Sequence, residues 1–364
     1  MELDLGRFCN INGTKEVSNL EVGMDFRLPQ YRREVFLRFF EFHDKYKGHA
    51  GAVYSAFPYL FEKLGMTQEE KIWFAFINGC SQHVVTTYLI FERFPNFSKL
   101  NVEELNVWFY ENYKNLGWDT DRRYFKNSFI KCVKNYKMHI GSGTQEEFFN
   151  RLTESSDPYI NFESVWKKVL GEFLYFGRLS TFSYLEFLKL AGINLDCNQL
   201  FLDDIKGSKS HRNGICKVIG RDDWEDTKIN TVNYTPDMVE YLSFEGAELL
   251  REAKSRFGGE HINYFTLETT LCCYKGWHRV NRRYPNVYND MFHDRIKKSE
   301  EMMSVELPIF WESREHFLPK ELRLESSPSD IGFCKEKQNH YRLTGEVIMM
   351  DFEHSEFKNN LKTK

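Results

Sequence analysis

Apolar residues recur at intervals of three and four along most of the chain, which is the spacing of an amphipathic helix. In the first strong segment Val35, Phe39, Phe42 and Tyr46 follow at intervals of four, three and four, and they form one apolar stripe on a helix predicted over 31–47. Similar patterns and helix-start signals predict helices over 52–64, 68–92, 101–115, 121–137, 145–153, 162–176, 180–191, 236–257, 260–276 and 287–304. No segment shows the sustained alternation typical of strands. The chain is therefore predicted to be mainly α, with little sheet.

Glycine-containing and polar segments divide this helical pattern. The Gly- and Ser-rich loop 138–144 is the predicted boundary between two helical lobes, whereas 194–234 is predicted to be mostly irregular. One short hairpin is predicted around 341–352. The predicted organisation is an irregular N-terminal segment at 1–30, a helical unit at 31–305 and a C-terminal extension at 306–364.

Composition limits the class of protein. The 364 residues are 41% apolar and 16% aromatic, enough for a substantial core in one large domain or two ordinary ones. Eight scattered cysteines without a CxxC pair indicate a reduced, intracellular protein and argue against zinc or an iron–sulfur cluster. The acidic, polar amino terminus predicts no secretory signal. The most apolar run, 72–91, contains Asn, Gln and His, so we expect a buried helix and no membrane span.

Charge excludes a generally basic nucleic-acid binder, because the net charge is −4. Any site for DNA or RNA must then be a local basic patch. Residues 206–221 carry five Lys or Arg and no acid, and 275–298 carry seven against two Asp. These two segments are the predicted patches.

The 72–91 helix carries a polar ridge. Asn78, Gln82 and Thr86 are four residues apart and would lie on one face of a continuous helix. In a pocket, such groups can read the Watson–Crick edge of a base. The alternative is a hydrogen-bond network between packed helices, and the adjacent His83 is interpreted as structural.

Two carboxylates and two arginines adjoin at a predicted helix start. Asp119 and Asp121 precede Arg122 and Arg123. Helix capping explains one of the two acids but not the whole group. The two arginines would lie unfavourably near the positive end of the helix dipole. The residues fit a phosphate site with a nearby base or metal-holding carboxylate, or a surface of salt bridges.

A glycine turn separates the helices predicted at 162–176 and 180–191. Gly177, Arg178, Ser180 and Thr181 resemble the second half of a helix-hairpin-helix element, whose backbone N–H groups hold DNA phosphates. A single glycine departs from that pattern, and a plain turn between helices is the alternative.

The segment 203–214 combines acids with a basic loop. Asp203 or Asp204 follows the glycine turn at about the distance of the essential Asp in helix-hairpin-helix DNA glycosylases. The segment is predicted to form a phosphate cradle with donors from Lys206, Ser208, His211 and Arg212. It does not have the sequence of a Walker A loop. The alternative is a solvated basic loop.

A face of the predicted 260–276 helix carries Glu268, Cys272 and Lys275 at intervals of four and three. Glu268 is a candidate base and Lys275 a candidate phosphate ligand, together with Arg282 and Arg283. Cys272 is interpreted as structural rather than as a nucleophile. A salt-bridged helix face is the alternative reading of Glu268 and Lys275.

Together these segments resemble the phage amino acid:DNA transferases and the related α-glutamyl/putrescinyl thymine pyrophosphorylases. The resemblance covers roughly 25–300. It rests on Arg32-Arg33, on Phe74 to Gly79, on Asp119 to Arg123, on Gly207 to Arg212, and on Glu268 to Lys275 with Arg283-Tyr284.

This resemblance implies a two-lobed, DNA-glycosylase-like helix-hairpin-helix fold whose catalytic unit is 31–305. It implies transfer of an amino acid or amine onto phosphorylated 5-hydroxymethyluracil in double-stranded DNA, in the cytoplasm of a phage-infected bacterium. The target base would be flipped into a pocket, and phosphate or pyrophosphate would leave without any cofactor. Arg122 and Arg123, or Arg282 and Arg283, would hold the phosphate, and Asp119, Asp121 or Glu268 would be the base.

Two alternative functions stay open at this point. A DNA glycosylase on the same fold would use Asp203 or Asp204 to cleave the bond between base and sugar. A non-catalytic helical protein would bind nucleic acid, and changes at Asp119, Asp121 and Glu268 would barely matter to it.

Overall fold

The computed structural model describes residues 29–45, 52–119, 122–259, 261–276 and 287–317. Within these ranges every regular element is helical, which confirms the predicted mainly α fold. The α-helices are α1 Pro29–Lys45, α2 Ala52–Lys63, α3 Gln68–Ser81, α4 Val84–Arg93, α5 Val102–Asn112, α6 Arg123–Lys126, α7 Phe129–Ile140, α8 Gln145–Leu152, α9 Pro158–Glu172, α10 Arg178–Leu190, α11 Lys209–Val218, α12 Pro236–Phe257, α13 Tyr264–Gly276, α14 Val287–Met303 and α15 Pro308–Phe317. A 3₁₀ turn, Asp222–Trp224, follows α11.

Several helix ends follow local sequence signals. Thr67 and Glu70 form a reciprocal capping box at the start of α3, as predicted. The Thr235 side chain accepts a hydrogen bond from the backbone N–H of Met238 at the start of α12. Gly258 ends α12 with φ +66°, a left-handed conformation that glycine adopts without steric cost.

The described chain forms two compact units. The first contains α1, α11, α12 and α13. The second contains α2 to α10 with residues 293–314. The predicted lobe boundary at 138–144 is a turn between α7 and α8, inside the second unit.

In the first unit, α11 packs against α1, α12 and α13. The apolar core includes Phe36, Ile215, Leu249 and Leu271. Further contacts of α1 are ionic: Arg32 pairs with Asp222 at 2.7 Å, and Arg33 pairs with Glu245 and Glu252 at 3.1 and 2.9 Å. Both arginines at this helix start therefore take part in packing the unit.

In the second unit, α3 packs against α4, α6, α8 and α10. Aromatic rings fill the space around it: the Phe76 ring stacks on Tyr136 with centroids 3.9 Å apart and meets Tyr184 edge-on at 6.0 Å. The Trp73 ring stacks on both Phe76 and Tyr136, at 5.7 and 6.5 Å. Much of the chain's aromatic content is thus core, as aromatic burial predicts.

Two predicted helices are each divided in the structure. The 68–92 segment breaks at Gln82, whose φ of +48° ends α3, and at His83, which caps α4. The 121–137 segment forms the short helix α6 and then α7, which continues to Ile140. The prediction of continuous helices was wrong because the apolar pattern runs across both breaks without a Gly or Pro.

The prediction for 194–234 was also wrong in part, because α11 lies within it. The helix α15 begins the predicted C-terminal extension, at Pro308. The predicted hairpin at 341–352 and the segment 1–28 lie outside the described residues. Across the part of the chain that is described, none of the helices combines the length and apolar character that crossing a bilayer requires.

Candidate active site

A chain of buried and half-buried polar side chains joins α11 to α13. Ser210 and His211 come from α11. Glu268, Cys272 and Lys275 come from α13 and share one helix face, as their spacing predicts. The side chains of α11 contact those of α13, so the packing of the two helices positions all five residues.

The His211 ring is held at both nitrogens. Its Nε2 lies 2.9 Å from the Leu200 carbonyl oxygen, and its Nδ1 lies 2.9 Å from Glu268 Oε1. A carbonyl oxygen can only accept, so Nε2 carries a hydrogen. The contact between Nδ1 and Oε1 is a second hydrogen bond of this ring, and it joins α11 to α13. This pair is an acid–base couple in which Glu268 is the member with access to the surface, since His211 is fully buried.

Cys272 extends the chain from the same carboxylate. Its thiol donates to Glu268 Oε1 at 3.4 Å. Burial, and secondly the charge of Glu268, raise the pKa of the Cys272 thiol well above its usual value. The thiol therefore stays protonated at neutral pH, which agrees with the interpretation of Cys272 as structural rather than nucleophilic.

Lys275 completes the chain through Ser210. The Lys275 ammonium donates to Ser210 Oγ, and the Ser210 hydroxyl interacts with the Cys272 sulfur. The Lys275 side chain is buried. Its positive charge thus lies near the acid–base couple in a buried site, where water screens electrostatic interactions only weakly.

One set of ligand atoms in the described residues could hold a metal ion. His211 Nδ1, Glu268 Oε1 and Cys272 Sγ lie within 4.8 Å of one another. A metal ion bound there would replace the hydrogen bonds among these three side chains, and the thiol would lose its proton. The residue types suit zinc, but the hydrogen bonds satisfy these atoms without it.

The predicted phosphate cradle proves to be the start of α11. Arg212 is fully buried; its guanidinium donates to Ser208 Oγ and to the Ile205 carbonyl, and lies 4.1 Å from the centre of the Tyr234 ring. Ser208 is buried as well. These two side chains hold the turn together, whereas Lys206 is the exposed member of the predicted cradle; the solvated loop that was the alternative does not describe Ser208 and Arg212. Asp204 Oδ1 accepts from the Gly207 N–H at 2.9 Å, so this carboxylate caps the same turn.

In the second unit, the acid–arginine segment follows α5. Asp119 pairs with Arg295 at 2.6 Å, and Arg122 is buried, where it donates to the carbonyls of Gly79 and Leu179 at 3.3 and 3.4 Å. Arg123 is exposed. The predicted pair of arginines is thus divided between the interior and the surface. Asp121 lies outside the described residues, as do Arg282 and Arg283.

The predicted polar ridge of Asn78, Gln82 and Thr86 is interrupted by the break between α3 and α4. Thr86 Oγ1 donates to the Gly117 carbonyl at 2.8 Å, and Asn78 Oδ1 accepts from Thr87 at 3.0 Å. Asn78 Nδ2 and Gln82 Oε1 are buried without a hydrogen-bond partner among the described residues. Within the described residues these two groups find no protein partner, and a bound water or ligand would satisfy them.

The glycine turn joins α9 to α10 as a helical hairpin. Gly177 is exposed and precedes Arg178, the first residue of α10. Ser180 Oγ donates to the Gly177 carbonyl at 3.0 Å, and both Ser180 and Thr181 are buried. Any contact with DNA at this turn would fall to the exposed backbone around Gly177 and to the half-buried Arg178, while the two hydroxyl side chains stabilise the turn from inside.

The profile of the amino acid:DNA transferase family matches residues 55–284. The chain belongs to this family. A serinyltransferase of Salmonella phage ViI is 29% identical to it over 328 residues, which are 85% of this chain and 79% of the relative. No solved structure matches.

Membership of the amino acid:DNA transferases makes the protein a transferase, with DNA and an amino acid as its substrates. The matched region contains the whole polar chain from Ser210 to Lys275 and excludes Arg32, Arg33 and Arg295. Ser210 was not singled out from the sequence, because its role depends on α11, which the apolar pattern did not reveal.

Proposed function

We propose that this amino acid:DNA transferase attaches an amino acid to phosphorylated 5-hydroxymethyluracil in double-stranded DNA and releases phosphate or pyrophosphate, in the cytoplasm of a phage-infected bacterium. Serine is the first donor to test, because the phage ViI relative is named for it. The observation that carries the proposal is the 2.9 Å contact between His211 Nδ1 and Glu268 Oε1 beside the Lys275 ammonium.

The reaction needs a group that removes one proton. The amine or hydroxyl of the amino acid forms a bond to the 5-methylene carbon, the bond from that carbon to the phosphate oxygen breaks, and the phosphate leaves with the electron pair. The nucleophile loses its proton to Glu268 Oε2. His211, on the other carboxylate oxygen at 2.9 Å, orients the carboxylate and stabilises its charge before transfer.

Negative charge develops on the departing phosphate and needs a nearby cation. Lys275 supplies it in this proposal, with Arg282 and Arg283 as further candidates from the same basic segment. Exposed Lys206 and Arg123 are candidate contacts to the DNA backbone, together with the turn at Gly177.

The target base must leave the duplex to react. Asn78, Gln82 and Thr86 stay the predicted base contacts; within the second unit, Asn78 Nδ2 offers a donor and Gln82 Oε1 an acceptor. The uracil edge presents an acceptor at O4 and a donor at N3, so these two groups are complementary to it. Thr86 orients this region through its bond to Gly117.

The test is nucleoside mass analysis of phosphorylated hydroxymethyluracil DNA after incubation with the full-length protein and a panel of amino acids. A base bearing one amino acid, with one phosphate or pyrophosphate released per adduct, is expected. Abasic sites without an amine or ether adduct would instead establish the glycosylase alternative. The bond from Asp204 to Gly207 gives that carboxylate a structural role, which favours the transferase.

A further inference from the structure

A fully exposed isoleucine stands at the tip of a rigid loop in the first unit. Ile229 is 99% exposed, the extreme among the large apolar side chains of the described residues. Single apolar residues on a surface are ordinary, and a flexible loop would need no explanation. This loop, however, is fixed by the side-chain hydrogen bonds of Asn213, Thr227 and Asn230.

The fixation begins at α11. Asn213 is buried, and its amide makes two bonds to one loop residue: Nδ2 donates to the Asp226 carbonyl at 2.7 Å, and Oδ1 accepts from the Asp226 N–H at 3.1 Å. Asn213 lies two residues after His211 on the same helix. The helix that carries His211 of the proposed acid–base couple therefore also anchors the loop.

The tip itself, residues 227–230, is closed by a second set of bonds. The Thr227 N–H donates to the Asn230 carbonyl at 2.8 Å, and Thr227 Oγ1 accepts from the N–H groups of Ile229 and Asn230 at 3.3 and 3.0 Å. The Asn230 amide donates to the carbonyls of Asp223 and Glu225 at 3.2 and 2.9 Å. These bonds fix the backbone of the tip while its apolar side chain projects into water.

The charge below the tip is compatible with a polyanion. The acids at the base of the loop are each paired: Asp223 with Arg221 at 2.7 Å, Glu225 with Lys217 at 2.8 Å and Asp226 with Lys209 at 2.8 Å. Lys228, beside Ile229, is exposed. The acidic segment therefore offers little net repulsion to a phosphate backbone.

We propose that the 227–230 tip inserts Ile229 between base pairs of duplex DNA and so helps to displace the target base from the stack. Proteins that distort DNA use rigidly presented apolar side chains, isoleucine among them, as wedges of this kind. The inference rests on the proposed function to the extent that the target base must leave the duplex. It names the residue that promotes this step.

The first experiment uses a duplex with 2-aminopurine beside the target base, whose fluorescence rises when stacking is lost. The wild-type protein is expected to raise the fluorescence on binding, whereas Ile229→Ser should bind without this rise and Ile229→Leu should restore it. Val107→Ser, at a 57% exposed β-branched residue of α5, is the matched control. Binding of wild type without a rise, or the same rise with Ile229→Ser, would overturn the proposal.

The second experiment compares transfer to a paired target with transfer to the same target left unpaired in a bulge. Ile229→Ser should lower the rate on the paired target on the order of tenfold and leave the unpaired target within about twofold of wild type, because the bulge removes the stacking barrier. Equal losses on both DNAs would contradict the wedge. If wild type transfers no amino acid but the fluorescence difference persists, the proposed function fails and the wedge stands.

Discussion

Gly214 of α11 lies directly against the backbone carbonyl of Leu271 in α13. A β-carbon at position 214 would stand 2.4 Å from that oxygen, a distance that no packed side chain tolerates. The absence of a side chain lets the two helix backbones approach closely at this point. One turn before Gly214 lie Ser210 and His211, and one turn on either side of Leu271 lie Glu268 and Lys275. The close approach therefore sets the distances within the polar chain.

Gly214→Ala should force the two helices apart. We expect the free energy of unfolding to fall by about 1–3 kcal/mol, as for other overpacked sites, and the transfer rate to fall with it. Urea denaturation and the transfer assay measure the two effects. Gly171→Ala is the control: Gly171 lies in α9 with nothing near its potential β-carbon, and the change should stabilise by about 0.4–1 kcal/mol. Wild-type stability in Gly214→Ala would show that α11 and α13 adjust without cost.

Glu268→Gln should reduce turnover by about 10²-fold or more, because the amide keeps the shape of the carboxylate but cannot accept the proton. His211→Gln should have a related effect, and the double variant should lose little more than the worse single variant, since both residues act as one couple. Single-turnover rates on modified duplex measure this.

The matched control for this cycle is Glu252→Gln, in the same unit. Glu252 pairs with Arg33 at 2.9 Å and has no contact with the polar chain, so turnover should stay unchanged. Additive losses in the double variant would mean that Glu268 and His211 contribute independently.

We expect the loss of Arg122 to lower the stability of the protein and the loss of Arg123 to weaken DNA binding. Arg122→Met removes the guanidinium that donates to the carbonyls of Gly79 and Leu179 and should lower the free energy of unfolding by about 1–3 kcal/mol. Arg123→Ala, at an exposed position, should keep stability within about 0.5 kcal/mol. If Arg123 contacts a DNA phosphate, its loss should also reduce the slope of log affinity against log salt by about one. Equal effects of the two changes on stability would contradict this division.

The sequence predicted most of the helices because their apolar faces and caps are local signals. Thr67 with Glu70, Asn101, and Thr235 before Pro236 all open helices where predicted. The helix α11 was missed because the buried residues of its first half are polar: His211, Arg212 and Asn213 are all interior. The buried apolar residues are confined to its second half, which is too short to show a helical period.

The candidate site was predicted in pieces. Glu268, Cys272 and Lys275 were placed on one helix face by spacing alone, whereas His211 was assigned to a phosphate cradle. The bond from His211 to Glu268 joins residues 57 positions apart, and no local pattern carries such a pairing. Arg122 and Arg123 were predicted to bind a phosphate, which stays a prediction. The sequence did not reveal that Arg122 is buried and Arg123 exposed, because neighbouring residues at a helix start point in different directions.

His83 is buried at the start of α4, between the two helices that the sequence predicted as one. Its Nδ1 accepts from the Thr86 N–H at 3.2 Å, so the neutral ring acts as the helix cap. Burial, and then the positive charges of Arg295, Lys298 and Lys126, lower the pKa of His83 well below its usual value. Protonation would both remove the cap acceptor and place a charge among cations.

The stability of the protein should therefore fall as the pH is lowered through the ordinary pKa of histidine, about 6.5. Below that pH the unfolded chain binds a proton at His83 that the folded chain does not, which favours unfolding by up to about 1.4 kcal/mol for each pH unit. His83→Asn keeps a capping acceptor and removes the titration, so its stability should depend less steeply on pH between 6.5 and 5. Urea denaturation across pH 5–8 measures how steeply the free energy of unfolding depends on pH in each protein. At pH 8 the ring is neutral in both the folded and the unfolded chain, so the difference there is the cost of the substitution itself. Parallel pH profiles for wild type and His83→Asn would mean that the folded protein binds a proton at this ring as readily as the unfolded chain does.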